Sequence, residues 1–151
     1  MGNHTQFAIG QVAEDSCGRL GLAARLLRLS PSKLAGRDPS SLAQFGHLLE
    51  TFVIGECRKQ LSWLDDISIV GHWRTHDGIE VDLVVEADDG RVTALEVKAG
   101  SRVPGSSQSG LGSLRDKLGA RFVAGVTLHT GERSYTHDDR LHVLPIDRLW
   151  S

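Results

Sequence analysis

The chain has 151 residues, 40% of them hydrophobic and 24% charged, with a formal net charge of −2. That length suits one domain with its own core, and the near-neutral balance excludes the global basic field of a stand-alone nucleic-acid binder. Two cysteines, Cys17 and Cys57, make no disulfide framework, no apolar run approaches the roughly 18 residues of a membrane span, and no basic-then-apolar leader opens the sequence, so a cytoplasmic protein is expected.

Residues 1–18 are polar and aperiodic and read as a poorly structured segment; residues 19–151 read as one domain. Leu20, Ala23, Ala24 and Leu27 predict a helix over Arg19–Leu29, which Ser30-Pro31 ends or follows with a turn. After a Gly36–Pro39 loop, Asp38 before Pro39 predicts an N-cap with proline at the first helical position. That helix runs to about Leu61. Leu42, Phe45, Leu49, Phe52 and Val53 form its apolar stripe, which Ile54, Cys57 and Leu61 extend. Glu50 falls among Val53, Ile54, Cys57 and Leu61. A carboxylate so placed needs a partner or the edge of a cleft.

Three strands are predicted next. Ser68–Arg74 packs through Ile69 and Trp73, and His76-Asp77-Gly78 is a hairpin turn. Ile79–Glu86 puts Ile79, Val81, Leu83 and Val85 on one face. Asp88-Asp89-Gly90 is a second turn. Arg91–Ala99 then turns Thr93, Leu95 and Val97 one way and Val92, Ala94, Glu96 and Lys98 the other. Ser101–Ser109 is a Gly/Ser-rich loop. Leu111, Leu114 and Leu118 mark a helix ending at Gly119, Phe122–Leu128 a buried strand, Thr130-Gly131 a turn, Arg140–Leu144 a last strand and Asp147–Trp150 a final helical turn. This order gives an α/β fold, a mixed sheet flanked by helices. Glu86 and the Arg115, Lys117 and Arg121 set read as solvated, and the histidines lack metal-ligand spacing.

A three-residue hairpin with Gly90 left-handed sets Ala87 opposite Arg91. Counting back, Asp82 then faces Glu96, and Glu80 faces Lys98. Facing carboxylates repel across a ladder and call for a cation. A divalent ion with oxygen ligands meets that need, and Mg²⁺ is the usual one where the substrate is a phosphate. Asp82 and Glu96 would hold it, the Val97 carbonyl and Glu50 would add ligands, and Lys98 would orient water or neutralise developing charge.

Asp82, Glu96-Val97-Lys98 and an upstream helical Glu50 resemble the core of the PD-(D/E)XK nuclease superfamily. Closer still, Phe45–Val53, Trp73-Arg74, Gly78–Val84, Leu95–Lys98 and Thr130–Glu132 resemble the C-terminal domain of unknown function 4143 (DUF4143) over about Leu20 to Trp150. The resemblance implies a restriction-endonuclease-like core and hydrolysis of DNA with Mg²⁺ or Mn²⁺. Asp82, Glu96 and Lys98 would be catalytic, and Glu50, Asp82, Glu96 and the Val97 carbonyl metal-binding. In that family the domain usually follows an AAA+ ATPase module. No Walker A loop occurs here, so a stand-alone or truncated copy is expected. Its protein partner would be such an ATPase or a second copy. The other reading is a catalytically inactive module of the same fold for protein or nucleic-acid interaction, favoured by the near-neutral charge.

Overall fold

A computed structural model describes residues 30–36 and 38–150. The segment 1–18, Cys17 and the helix expected over Arg19–Leu29 lie outside the described residues. A short helix not expected from the sequence, α1 (Pro31–Ala35), starts where Ser30 Oγ accepts the Lys33 N–H at 3.3 Å. The long helix α2 (Pro39–Leu61) has the expected bounds. Asp38 Oδ2 caps it by accepting the Ser41 N–H at 2.8 Å, and Pro39, without an N–H to satisfy, fills the first turn. In that turn Ser41 is buried while Leu42 is 40% exposed, a correction to the expected stripe: the inward face begins one position earlier. No helix among the described residues is long and apolar enough to cross a membrane.

Among the described residues six strands make one mixed sheet: β1 (Ile67–Arg74), β2 (Glu80–Ala87), β3 (Val92–Lys98), β4 (Phe122–His129), β5 (Tyr135–Asp138) and β6 (Leu141–Pro145), in the spatial order β1-β2-β3-β4-β6-β5. The β1–β2–β3 meander is antiparallel, β3, β4 and β6 run parallel, and β5 returns antiparallel on the edge. Helix α3 (Ser109–Leu118) makes the β3-to-β4 crossover and ends, as expected, at Gly119 with φ +58°. It follows a 3₁₀ turn, Gly105–Gln108, inside the stretch expected to be loop. Gly-Ser-Ser-Gln-Ser-Gly carries no apolar period by which a helix start is read.

The sheet has a core on each face. On the α2 side lie Val53, Cys57, Leu83, Val85, Val97 and Leu128. On the α3 side lie Trp73, Val81, Val84, Ala94, Leu111, Leu114 and Phe122, among others. Burial lifts the Cys57 thiol pKa to about 11, so it stays an unreactive thiol in the core.

Strand β3 alternates as its sequence dictates, but β2 does not. The β1/β2 register passes from Gly71↔Val84 to Trp73↔Val81, so two β2 residues, Asp82 and Leu83, oppose His72 alone. This bulge turns Val81 to the α3 side, away from Leu83 and Val85, and corrects the expected single apolar face. A second slip in β1, between Ile67 and Ile69, brings Ile67 and Val70 rather than Ile69 to the α2-side core. Of the charges expected to be solvated, Lys117 and Arg121 are exposed, while Glu86 and Arg115 are mostly covered and ion-paired. Arg121 pairs with Glu86 at 2.8 Å, and Arg115 with Asp138 at 2.9 Å.

Candidate functional site

The site begins at a fork. The β2/β3 ladder runs from Glu86↔Val92 to Leu83↔Leu95, the register expected from Gly90, which is left-handed at φ +80°. By the ladder's alternation, the Val97 N–H should next meet the Val81 carbonyl. Instead it donates to Asp82 Oδ2 at 2.7 Å. Strand β2 has bulged and diverged, and the Asp82 side chain takes the place of the Val81 carbonyl. Helix α3 holds the strands open from the far side. Gly110 packs so closely that a Cβ there would lie 2.3 Å from the Glu80 carbonyl oxygen. Glu80 therefore does not face Lys98. It pairs with Arg74 at 2.8 Å.

Glu96 and Lys98 follow on β3. Glu96 is 8% exposed, Oε1 is ion-paired to Lys98 Nζ, and Oε2 is buried with no partner. The two residues line a groove of about 370 Å³ whose other wall is Ser106, Ser107, Ser109 and Gly110. Glu50 and Asp82 line an adjoining recess of about 330 Å³ with Ile54, Arg58 and His72, and Glu80 borders both. Glu50 thus shares a recess with Asp82, while Glu96 and Lys98 share the next.

The charges nevertheless act on one another. Burial, then the charge of Asp82, raises the Glu50 pKa. Burial raises that of Asp82, against the Val97 N–H and Lys98. Burial raises that of Glu96 too, its bond to Lys98 opposing and Asp82 adding. For Lys98, burial works against the ammonium. The bond and charge of Glu96, then Asp82 and Glu50, outweigh it and hold the pKa above the usual range. Lys98 is thus a cation shared by all three acids, favouring the ionised form of each.

Gln108 escapes the sequence motifs. It is 3% exposed, its Nε2 donates to Thr127 Oγ1 at 2.9 Å, and its Oε1 is buried without a partner. Thr127 is the β4 register partner of Glu96. Two unsatisfied buried oxygens, Glu96 Oε2 and Gln108 Oε1, thus belong to neighbouring parts of the fold. Buried acceptors are rarely left so, and a cation or a donor is what would satisfy them. Among the described residues, no three His, Cys, Asp or Glu side chains stand close enough to enclose a metal ion by themselves.

A pH dependence follows. Each of the three raised carboxyls holds its proton more tightly in the fold than in the unfolded chain. Its contribution to stability is therefore full below the unfolded value, about pH 4, and is lost as pH rises through the higher folded value. The Asp38 cap works oppositely. Bonds from Ser40 and Ser41 hold it down to about 2, so its contribution is lost as pH falls toward that value. Urea unfolding without divalent metal should show stability declining from about pH 4 upward, and Asp82→Asn should flatten that decline.

No curated protein matches the chain. The family profile described as Domain of unknown function (DUF4143) matches residues 45–149, from the α2 turn before Glu50 to the last helical turn. That span carries the fork, both recesses and Gln108, and it covers more than two thirds of the sequence. The chain belongs to the DUF4143 family.

Proposed function

We propose that the chain is a metal-dependent phosphodiesterase domain of the PD-(D/E)XK type, hydrolysing DNA. The observation that carries the reading is the fork: Asp82 pinned on the Val97 N–H beside a buried Glu96 whose Oε2 lacks a partner. The donor set is all oxygen, which fits a hard cation. Mg²⁺ is usually held by only one or two carboxylates plus waters and substrate phosphate, so a closed three-acid cage is not required. Asp82 and Glu96 would hold it, with the Val97 carbonyl added and Glu50 supporting from the next recess. When bound, the ion supplies Lewis acidity at a phosphoryl oxygen and lowers the pKa of a water. Lys98 brings positive charge to the phosphate. The first turn of α3, which walls the same groove, turns the positive end of its dipole toward the phosphate oxygens. In hydrolysis the water oxygen bonds to phosphorus, the ester P–O bond breaks, and the leaving oxygen takes a proton.

A second reading, the inactive interaction module, draws on the Lys98–Glu96 pair, which already neutralises one carboxylate oxygen. Thermal unfolding separates the two. An ion that binds only the folded state stabilises it by RT ln(1 + [L]/Kd), about 2.7 kcal/mol at 100 times Kd. That amounts to a rise of roughly 5–10 °C in Tm at this size. Millimolar Mn²⁺ or Mg²⁺ should produce it, and Glu96→Gln should remove most of it. Lys98→Met should keep or enlarge the rise, since it removes a competing cation, while abolishing cleavage. A wild-type protein indifferent to both ions would favour the interaction module.

A further inference from the structure

A separate cleft opens at the C-terminal ends of the parallel strands β3 and β4, whose last residues, Lys98 and His129, are register partners. The segments leaving the two strands wall a space of about 780 Å³ lined by Ser101, Arg102, Val103, His129, Arg133 and Tyr135, among others. Its floor is fixed. His129 is 2% exposed. Its Nδ1 accepts the Gly131 N–H at 3.1 Å, so Nε2–H donates to the Arg133 carbonyl at 2.9 Å, which selects one neutral tautomer. Only glycine fits at 131, where a Cβ would lie 2.5 Å from the Ser101 carbonyl oxygen and 2.7 Å from His129 Cε1. The Thr130 N–H also bonds the Gly100 carbonyl at 3.3 Å, tying the two segments together. A cleft made this way is already organised before a ligand arrives.

Two of its arginines differ from five others among the described residues. Arg74, Arg91, Arg115, Arg121 and Arg140 are each paired to a carboxylate. Arg102 and Arg133 make no ion pair among the described residues, and both are exposed at the cleft. Beside them the Tyr135 residue, on the edge strand, is 41% exposed. Arginines free to fork onto phosphate oxygens, next to an open aromatic ring, match a phosphodiester backbone with unpaired bases. The chain from Ser101 onward continues into Ser106 and Ser107, which wall the Glu96–Lys98 groove.

We propose that this cleft binds a single-stranded nucleic-acid segment, with Arg102 and Arg133 on its phosphates and Tyr135 stacked on a base. The strand is single because a base must be unpaired to stack on the ring. The proposal rests on the phosphodiesterase reading only for where the strand leads, the groove of Glu96 and Lys98.

Fluorescence anisotropy with a labelled short oligothymidylate in EDTA measures binding without cleavage. Arg102→Gln with Arg133→Gln should weaken binding at least about tenfold and reduce the slope of log K against log salt by about 1.4, roughly 0.7 for each phosphate that an arginine neutralises. Tyr135→Ala should weaken it about tenfold. Arg91→Gln, on the hairpin at the other end of β3, should leave binding unchanged, and melting curves check that every variant is folded. The proposal is overturned if wild type does not bind, if the double variant binds like wild type, or if duplex DNA or a polyglutamate peptide competes as well as the unlabelled single strand. With millimolar Mg²⁺ or Mn²⁺ in place of EDTA, binding that leaves the strand intact would uphold the cleft and sink the phosphodiesterase reading. Cleavage undiminished in the double variant would do the reverse.

Discussion

Asp82→Asn should reduce Mg²⁺-dependent cleavage by about 10²- to 10³-fold while leaving the metal-free protein no less stable than wild type. The rate effect follows from charge. A metal ion supplies several kcal/mol of transition-state stabilisation, and each 1.36 kcal/mol is about tenfold in rate. The stability effect follows from geometry. The asparagine oxygen still accepts the Val97 N–H that Asp82 Oδ2 now accepts at 2.7 Å, so the fork keeps its bond. What disappears is a buried charge that raises the pKa of both Glu50 and Glu96. Asp82→Ala differs because it leaves that N–H without a partner, which costs about 1–3 kcal/mol if the site stays dry. Metal-free melting curves of the three proteins, set beside their cleavage rates, separate the two roles of one side chain.

Phe122→Ala should destabilise the fold by about 3–5 kcal/mol, with a fall in Tm on the order of 10 °C. Phe122 is 1% exposed and belongs to the α3-side core with Leu111, Leu114 and Leu141. Gly125 lies so near the ring that a Cβ there would be 3.0 Å from Phe122 Cζ, and the Arg140 guanidinium lies 5.8 Å from the ring centroid. The backbone beside the ring is a strand held on both sides, by β3 and β6, and it has little room to collapse into the space. Val123→Ala, one residue on and 43% exposed, should stay within about 0.5 kcal/mol. Urea denaturation of both variants checks the contrast.

The sequence is most legible where local chemistry and tertiary demand agree. Asp38-Pro39 announces the start of α2 because the cap satisfies one orphan N–H and the proline has none to satisfy. Gly90 announces the β2/β3 register because only a left-handed residue closes that turn. From those two positions Glu50, Asp82, Glu96 and Lys98 can be placed in one neighbourhood. The bulge at Asp82 is not legible, since Ile79, Val81, Leu83 and Val85 alternate as in a regular strand. It is imposed from outside, by the Trp73 side of β1 and by Gly110 of α3. Nor is β5 legible, because Tyr135–Asp138 is exposed throughout and carries no burial pattern. Gln108 stays hidden for a third reason. A lone glutamine in a Gly/Ser-rich run reads as loop, and its importance comes from Thr127 and Glu96 on strands that only the fold brings beside it.

The claim that the fork is a phosphodiesterase centre is tested most directly by incubating the purified protein with supercoiled plasmid and with single-stranded oligonucleotide. Parallel reactions contain millimolar Mg²⁺, millimolar Mn²⁺ or EDTA, and each is run beside Asp82→Ala. Cleavage is expected from the wild-type protein with metal, none in EDTA, and loss of cleavage in the variant. Intact nucleic acid in every wild-type reaction, or cleavage that survives Asp82→Ala undiminished, would contradict the claim.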